Sequence, residues 1–295
     1  MRVLVTGAGG FIGRHVLRGA PSGWDIVALS RGAPPAGSRG RWVWLTARDA
    51  LPAEVTGARY DAVIHLAGNA DHGLAAREPW RDLEATGVLG GSVLGQLDAA
   101  RIVLMSSAAV YAGLEGPVGP EVRVDPLMPY ALSKLYMEGF VRWRVADGHA
   151  DSAAIIRLYN AFGPGERSSR LVPRVVDAIR TGAPFRLRGA PDALSDPVYI
   201  EDVVTMLVAA ATSSAAGTWD LCGGDPRPLL EQVGRIARSI GSDPPEIEQV
   251  ADPTQMPIHF HSDPRAVAEA FGTPLPRPFE TGVRAYAREM GWAST

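Results

Sequence analysis

The chain has 295 residues, a formal net charge of −3 and a single cysteine, Cys222. This length is enough to bury a substantial core in one large domain or two closely packed ones. The absence of a basic cluster argues against nucleic acid as a partner, and one cysteine excludes an internal disulfide and a cysteine-based metal cluster.

Compartment and metal content follow from a few further features. The first predicted strand begins at residue 2, so no signal peptide is expected, and no apolar run approaches the roughly 20 residues of a membrane span. We therefore expect a cytoplasmic protein. His259 and His261 are the only closely spaced histidines. Alternation on a strand or loop explains their spacing, so we predict no metal site.

Apolar runs and helical patterns alternate through the first half of the chain. The runs predict buried strands, and a weaker strand candidate covers residues 42–45. Alternation of this kind predicts an α/β fold with a doubly wound, Rossmann-like parallel sheet. The predicted strands are residues 3–5, 26–29, 62–66, 102–105 and 153–158, and the main predicted helices are 11–19, 80–98 and 127–146.

The second half of the chain differs in composition from the first. It contains more proline and glycine, and its predicted elements are shorter. We expect a first domain over residues 1–165 and a smaller C-terminal lobe over residues 166–295. A strand at residues 185–187 stands apart in this lobe. Residues of about 196–211 are expected to return to the main sheet.

A glycine-rich turn directly follows the first strand. Gly7 permits a tight turn, Gly10 lets the backbone approach a phosphate, and Gly13 lets the next helix pack close to the strand. The helix that follows starts at Phe11 and Ile12, and its N-terminus favours negative charge. The turn therefore predicts a site for a dinucleotide pyrophosphate.

Two later motifs add to the prediction of a dinucleotide site. They are Ser106-Ser107-Ala-Ala-Val-Tyr111 and Pro129-Tyr130-Ala-Leu-Ser-Lys134. With these motifs the chain resembles the extended short-chain dehydrogenase/reductase family, the NAD(P)-dependent epimerases, dehydratases and reductases of nucleotide-linked sugars. The resemblance covers nearly the whole chain and includes residues 65–68, 157–164 and 196–202. It implies that the domain over residues 1–165 binds the dinucleotide and that the lobe over residues 166–295 binds the substrate.

The resemblance implies a catalytic set of Ser107, Tyr130 and Lys134. Tyr130 and Lys134 are four residues apart, so on a helix they share one face. A nearby ammonium favours the phenolate, which suits the tyrosine to exchange a proton with a substrate oxygen. Lys134 would also bind the nicotinamide ribose, and Ser107 would bind the same substrate oxygen. Ser106 is the alternative hydroxyl.

The end of the second strand predicts which cofactor is used. A carboxylate there would bind the NAD ribose, but this chain has Ser30 and Arg31, which suit a 2′-phosphate. We therefore expect NADP(H) rather than NAD(H). The alternative is that Arg31 is a solvated loop residue. Arg14 is a candidate second positive charge.

Other cofactor contacts are implied by the resemblance alone. Leu66, Ala67 and Gly68 would border the cofactor, and Asp49 is a candidate for the adenine contact. Thr86 occupies a position where the family often has asparagine. His65 is expected to be structural rather than a base.

The substrate contacts are predicted less sharply. The resemblance implies Asn160 as a contact to the sugar or diphosphate, although asparagine before Gly163-Pro164 is also a common turn residue. Ser195 stands where many relatives carry a phosphate-binding arginine. Arg167, Arg170 or Arg188 could replace it. A small ketone without a nucleotide therefore stays open as the substrate.

The choice among reactions rests on two absences. Dehydratases of the family carry acids directly after the catalytic hydroxyl, where this chain has Ala108 and Ala109. Epimerases tend to have the ribose-binding acid that is missing here. We therefore predict an NADPH-dependent ketoreductase acting on the 4-keto group of a nucleotide-diphosphate 6-deoxy sugar.

Three alternatives stay open. They are an NAD-dependent nucleotide-sugar epimerase, a reductase of a small non-sugar ketone or aldehyde, and a cofactor-sensing regulatory protein on the same fold. Such regulators usually lack the Tyr/Lys pair. A homodimer is expected by analogy, through helices in the regions 80–98 and 127–146.

Overall fold

The computed structural model describes residues 1–34, 37–44, 51–250 and 257–292. Its strands are β1 Arg2–Thr6, β2 Asp25–Ser30, β3 Arg41–Trp44, β4 Arg59–Tyr60, β5 Ala62–His65, β6 Asp98–Ser107, β7 Glu115–Pro117, β8 Ala150–Leu158, β9 Asn160–Phe162, β10 Phe185–Arg188, β11 Leu194–Ser195, β12 Pro197–Tyr199, β13 Gly217–Leu221, β14 Arg227–Pro228, β15 Ile247–Val250 and β16 His259–His261.

Helices alternate with these strands. They are α1 Phe11–Gly19, α2 Ala53–Thr56, α3 His72–Arg77, α4 Pro79–Leu83, α5 Leu89–Gly95, α6 Pro129–Ala146, α7 Leu171–Thr181, α8 Ile200–Thr212, α9 Leu229–Ser239, α10 Arg265–Phe271 and α11 Phe279–Met290. A π-helical segment, Glu84–Val88, joins α4 to α5, and a 3₁₀ turn, Ala108–Tyr111, follows β6.

The central sheet runs in the order β13-β8-β6-β5-β1-β2-β3, with β4 beside β6. Every strand pair in it is parallel. The sheet is covered on both faces, because Val3 and Val5 belong to one core cluster with residues of α1 and α8. Leu4, between them, belongs to a second cluster with residues of α5 and α6. This arrangement confirms the predicted doubly wound α/β fold.

The predicted helix over residues 80–98 was wrong in two respects. The segment is α4, a π turn and then α5, and it ends at Gly95. Residue 98 already begins β6. A sequence of Gly87, Gly90, Gly91 and Gly95 weakens a regular helix, and insertion of a π turn changes which side chains face the sheet.

The C-terminal half does not form one continuous layer. Its short strands pair in twos: β10 with β15, β12 with β9, β11 with β14, and β16 with β7. α8 packs on α1, β5 and β6, and β13 extends the main sheet beyond β8. A division of the chain near residue 165 remains our proposal, with residues on both sides of it contributing to the central sheet.

Candidate active site

A cleft of about 280 Å³ opens at the carboxyl ends of β1, β5, β6 and β8. It brings together most of the residues that the sequence singles out. The predicted residues that line it are Gly7, Gly10, Phe11, Ile12, Gly13, Leu66, Gly68, Ser106, Ser107, Tyr130, Lys134, Asn160, Arg167 and Arg170. Ser30, Arg31 and Ala67 lie outside this lining.

The glycine turn is built for close approach of a ligand to the backbone. Gly7 has φ of +67°, and a Cβ at Gly13 would lie 2.2 Å from the Gly7 carbonyl oxygen. The residue before α1, Gly10, provides no side-chain cap, so the first N–H groups of the helix are not satisfied by a capping side chain. These residues fit a dinucleotide pyrophosphate, which accepts hydrogen bonds from such groups.

The end of β2 lies against this turn. Ser30 is buried, and a Cβ placed on Gly9 would come within 2.6 Å of the Ser30 Oγ. This Oγ accepts a hydrogen bond from the Gly32 N–H at 3.1 Å, which leaves the hydroxyl hydrogen to donate elsewhere. Arg31 is exposed. Asp49, the adenine candidate, lies outside the described residues.

Arg14 has a structural partner that its sequence position does not reveal. Its Nη2 donates to the carbonyl oxygen of Gly165 at 2.7 Å. One residue further along α1, His15 Nε2 lies 2.9 Å from the Pro164 carbonyl oxygen. The helix that follows the glycine turn is therefore tied to the loop after β9, which forms the opposite wall of the cleft.

The two neighbouring serines have different surroundings. Ser106 Oγ donates to Glu138 Oε1 at 2.7 Å, and Arg157 binds both oxygens of the same buried carboxylate. Burial opposes ionisation of Glu138, yet the bonds from Arg157 and Ser106 lower its pKa below the ordinary value. Ser107 lines the cleft, and its Oγ accepts from the Ala109 N–H at 3.2 Å. Both serines line the cleft, but the Ser106 hydroxyl donates its hydrogen to Glu138, whereas the Ser107 hydroxyl keeps its hydrogen for a ligand.

Tyr130 and Lys134 lie on the first turns of α6 and are both largely buried. Lys134 Nζ lies 5.6 Å from the centre of the Tyr130 ring and 3.5 Å from the Met105 carbonyl oxygen. This places an ammonium beside the phenol, at the end of the same strand that carries Ser107.

His72 is a cleft residue that the sequence reasoning missed. Its ring centre lies 4.2 Å from that of Tyr130. Desolvation by the neighbouring groups of the cleft lowers the pKa of His72. With the positive charges of Arg170 and Lys134, which act in the same direction, this pKa falls to about 4. No local motif marks it, because it reaches Tyr130 through the packing of α3 against α6.

The loop after β5 is held by Thr6. The Thr6 Oγ1 accepts from the N–H groups of Leu66 and Ala67 at 3.2 and 3.1 Å, so its hydrogen is directed to His65 Nδ1 at 2.9 Å. His65 then carries its own hydrogen on Nε2. Burial lowers the pKa of His65 to about 3, and Lys134 adds to this effect. His65 is therefore buried and neutral, and its structural role stays a prediction.

Thr86, on the π-helical segment, supports the same loop from the other side. It is buried, and its Oγ1 accepts a hydrogen bond from the Asn69 N–H at 3.0 Å. A Cβ on Gly68 would lie 3.3 Å from this oxygen and 3.6 Å from Lys134 Nζ. The π turn therefore carries a side chain to the wall of the cleft.

A second chamber of about 250 Å³ adjoins the cleft on the side of the C-terminal lobe, and the two spaces share lining residues. Asn160 and Arg170 line both spaces, while Arg174 and Arg188 line the chamber only. Arg167 lies further out, with its Nη1 3.7 Å from Asp71 Oδ2. Ser195 is buried against the chamber in place of the expected arginine. Cationic side chains thus follow the path from the catalytic candidates into the lobe.

Glu166 is the second cleft residue that the sequence reasoning missed. It lines both the cleft and the arginine-lined chamber, and its Oε1 accepts from the Gly163 N–H at 3.4 Å. Burial raises the pKa of Glu166 to about 8, against opposing effects of Gly163, Arg170 and the Tyr286 hydroxyl. Only the folded chain brings Tyr286 of α11 to this carboxyl, which is why no sequence signal found it.

Two wider searches give negative results for the described part of the chain. None of its helices is long and apolar enough to cross a bilayer. Across residues 1–34, 37–44, 51–250 and 257–292, no group of three or more His, Cys, Asp or Glu side chains could hold a metal ion. The cytoplasmic location stays a prediction.

The parallel sheet, the glycine turn and the Ser/Tyr/Lys set in one cleft define a dinucleotide-binding enzyme of the short-chain dehydrogenase/reductase type. Residues 3–221 match the model of the NAD dependent epimerase/dehydratase family. The chain belongs to this family, which confirms the resemblance seen in its motifs.

Several characterised proteins are similar over most of the chain. The GDP-6-deoxy-D-mannose reductase of Pseudomonas aeruginosa is 29% identical over 280 residues, 86% of this chain and 84% of that protein. The dTDP-glucose 4,6-dehydratase of Mycolicibacterium smegmatis is 26% identical, over 96% of this chain and 91% of that protein. The solved structure of MoeE5 in complex with UDP-glucose and NAD superposes with a TM-score of 0.84 at 25% identity, covering 98% of this chain and 99% of that one.

Proposed function

We propose that this protein is an NADP(H)-dependent ketoreductase that reduces the 4-keto group of a nucleotide-diphosphate 6-deoxy sugar. The observation that carries the proposal is the end of β2, where Ser30 and exposed Arg31 replace a carboxylate beside the glycine turn. A carboxylate would repel a 2′-phosphate, whereas a guanidinium binds one. Ala108 and Ala109, directly after Ser107, supply no acid for dehydration.

The catalytic roles follow from the cleft. A bound reduced nicotinamide would supply the hydride for the ketone carbon. Tyr130 donates its phenolic proton to the substrate oxygen, and the ammonium of Lys134 stabilises the phenolate that remains. Ser107 donates a hydrogen bond to the same oxygen, which positions it and stabilises the charge that develops there.

A nucleotide-linked substrate is supported by the arginine-lined chamber. Arg170, Arg174 and Arg188 line a space that adjoins the catalytic cleft. Guanidinium groups suit the oxygens of a diphosphate, and the similar reductase and dehydratase named above act on GDP- and dTDP-linked sugars according to their names. These features favour a nucleotide sugar over a small ketone.

Cofactor titration followed by an assay tests the proposal. Fluorescence titration of purified protein should show at least about tenfold tighter binding of NADPH than of NADH, and Arg31→Ala should remove most of this preference. NADPH oxidation is then followed with GDP- and dTDP-linked 4-keto-6-deoxy sugars. Tyr130→Phe, which removes only the phenolic hydroxyl, should abolish turnover and leave NADPH binding nearly unchanged. Equal affinity for both cofactors would reject the NADP(H) assignment.

The second candidate is an NAD-dependent nucleotide-sugar epimerase. It is favoured by the similarity to MoeE5, which was solved with UDP-glucose and NAD. An epimerase would carry NAD through purification and interconvert UDP-glucose and its 4-epimer without added cofactor. Detection of both properties would move this candidate to first place.

We also propose a homodimer, formed by a surface of exposed apolar side chains on α4, the π turn and α6. Part of this surface packs together: Leu83 and Tyr136 both adjoin Gly87, and Tyr136 stacks near Phe140, which in turn contacts Trp143. A connected apolar surface of this kind is typical of an interface. We call it the α4–α6 face; its exposed members are Trp80, Leu83, Val88, Leu132, Tyr136 and Trp143.

A further inference from the structure

A small apolar pocket of about 60 Å³ lies beside Ser107. The residues that line both this pocket and the catalytic cleft carry polar groups; they are His72, Ser107, Tyr159 and Asn160. The other walls are apolar. Ala108, Ala109 and Ala112 form one wall, and Met128, Pro257, Ile258 and Phe260 form the rest. We call this space the alanine pocket. It adjoins the catalytic cleft on its polar side.

The packing of the protein holds the walls of the alanine pocket in place. The buried ring of Phe260 meets the rings of Tyr111 and Tyr159 edge to face, with ring centres 5.6 and 5.8 Å apart. The strand that carries Phe260, β16, pairs with β7, which follows the 3₁₀ turn of the alanines. The shape of the pocket is therefore set by the fold.

The apolar walls offer little to a hydrogen-bonding group. The backbone carbonyl oxygens of Ala109, Met128 and Ile258 already accept hydrogen bonds from other N–H groups of the chain. The hydroxyl oxygen of Tyr159 is buried, so a group in the pocket contacts the ring of this tyrosine. A hydroxyl group in the alanine pocket would lose its hydrogen bonds to water without replacement, whereas a methyl group would gain apolar contacts.

The position of the alanine pocket limits which part of a substrate can enter it. In the proposed reaction, Ser107 and Tyr130 bind the ketone oxygen on C4 of the sugar. The ring carbons next to C4 are C3, which carries a hydroxyl, and C5, which carries the methyl group of a 6-deoxy sugar. A cavity of about 150 Å³ accommodates benzene, so the smaller alanine pocket has room for a substituent and not for the sugar ring.

We propose that the alanine pocket binds the methyl group on C5 of the substrate and selects 6-deoxy sugars over the corresponding 6-hydroxy sugars. The inference rests on the proposed function, because a ketone oxygen held by Ser107 brings the neighbouring methyl group to the pocket. The apolar walls distinguish this methyl group from the hydroxyl on C3. Ala112 and Met128 are the specificity-determining residues chosen for the test.

The experiment uses pairs of sugar nucleotides that differ only in the 6-hydroxyl group. They are dTDP-glucose, dTDP-galactose, UDP-glucose and GDP-mannose, each with its 6-deoxy form. Calorimetry measures their Kd with saturating NADP⁺ and, in a parallel series, with NAD⁺. Wild type should bind the 6-deoxy member of a pair about 10- to 100-fold more tightly, the range in which an apolar pocket rejects an added hydroxyl.

Three variants locate this preference in the structure. Ala112→Ser and Met128→Gln each add a hydrogen-bonding group to a wall of the pocket and should reduce the preference at least about fivefold. Ala70→Ser is the matched control, because Ala70 lines the cleft outside the alanine pocket, and it should leave the preference unchanged. Matching thermal unfolding of the four proteins is the control for folding.

Each outcome decides the matter. A preference for 6-deoxy sugars that falls in either pocket variant and persists in Ala70→Ser supports the assignment. Equal affinities within the pairs, a preference for the 6-hydroxy form, or a preference that neither pocket variant reduces overturns it and leaves the nucleotide-sugar substrate standing. If none of the sugar nucleotides binds, the proposed substrate class itself fails, and the assignment of the methyl group falls with it.

Discussion

At the scale of residues, Ser106 and Ser107 show how neighbours in sequence acquire different tasks. Alternation along β6 points consecutive side chains to opposite sides. Ser106 therefore reaches Glu138 under α6, while Ser107 lies at the mouth of the cleft, where the 3₁₀ turn begins. The sequence motif contains both serines, and only the packing of the strand gives their hydroxyl groups different hydrogen-bond partners.

This separation makes a prediction for two alanine variants. Ser107→Ala should lower kcat about 10²- to 10³-fold, because it removes a donor to the developing oxyanion, and should change the melting temperature little. Ser106→Ala should lower the free energy of unfolding by about 1–3 kcal/mol, because buried Glu138 loses a donor. Steady-state kinetics and thermal unfolding of both variants check this. A larger loss of kcat in Ser106→Ala than in Ser107→Ala would assign the catalytic hydroxyl to Ser106.

At the scale of elements, the unit β1–turn–α1 depends on close backbone contact. Gly13 packs against the turn because it has no Cβ, and α1 is also held to the loop after β9 by Arg14 and His15. A change in the helix position would therefore disturb both walls of the cleft. Gly139 of α6 is the natural comparison, since a Cβ there would meet no atom within 4 Å.

We predict opposite effects of alanine at these two glycines. Gly13→Ala would place a Cβ 2.2 Å from the Gly7 oxygen. It should destabilise the fold and weaken NADPH binding by more than about tenfold, because the turn must shift. Gly139→Ala should raise the free energy of unfolding by about 0.5–1 kcal/mol, since alanine is the better helix former, and leave NADPH binding unchanged. Urea unfolding and fluorescence titration give both quantities, and unaltered NADPH affinity in Gly13→Ala would contradict the role assigned to the turn.

At the scale of the whole molecule, the α4–α6 face lies on the helices that also carry Tyr130, Lys134 and Thr86. A dimer formed there would support the back of the catalytic helix without covering the cleft residues at the ends of the strands. The face carries six exposed apolar side chains on neighbouring helices, whereas Trp44 is an exposed apolar residue on the edge strand β3.

We predict that a charge on this face, and only there, prevents dimer formation. Val88 is 58% exposed and Trp44 is 64% exposed, so lysine at either position leaves the core intact. Light scattering should give wild type and Trp44→Lys twice the mass of a single chain, and Val88→Lys the single-chain mass, because a twofold interface buries the new charge twice. A monomeric wild type at micromolar concentration, or a dimeric Val88→Lys, would reject this interface.

Features that depend on neighbours along the chain could be predicted from the sequence alone. The glycine turn, the four-residue spacing of Tyr130 and Lys134, and the apolar runs of the parallel strands follow from local geometry and periodicity. From these features the fold class and most of the cleft lining could be predicted. The helix over residues 80–98 was extended too far, because a π turn depends on what the segment packs against as well as on its own residues.

Which polar groups meet depends on how the chain folds. His72 reaches Tyr130 through the contact of α3 with α6, Glu166 meets Tyr286 of α11 across more than a hundred residues, and Ser106 finds Glu138. The ionisation of a carboxyl such as Glu166 depends on burial and on partners that the folded chain supplies. Such long-range contacts leave no periodic signal in the sequence.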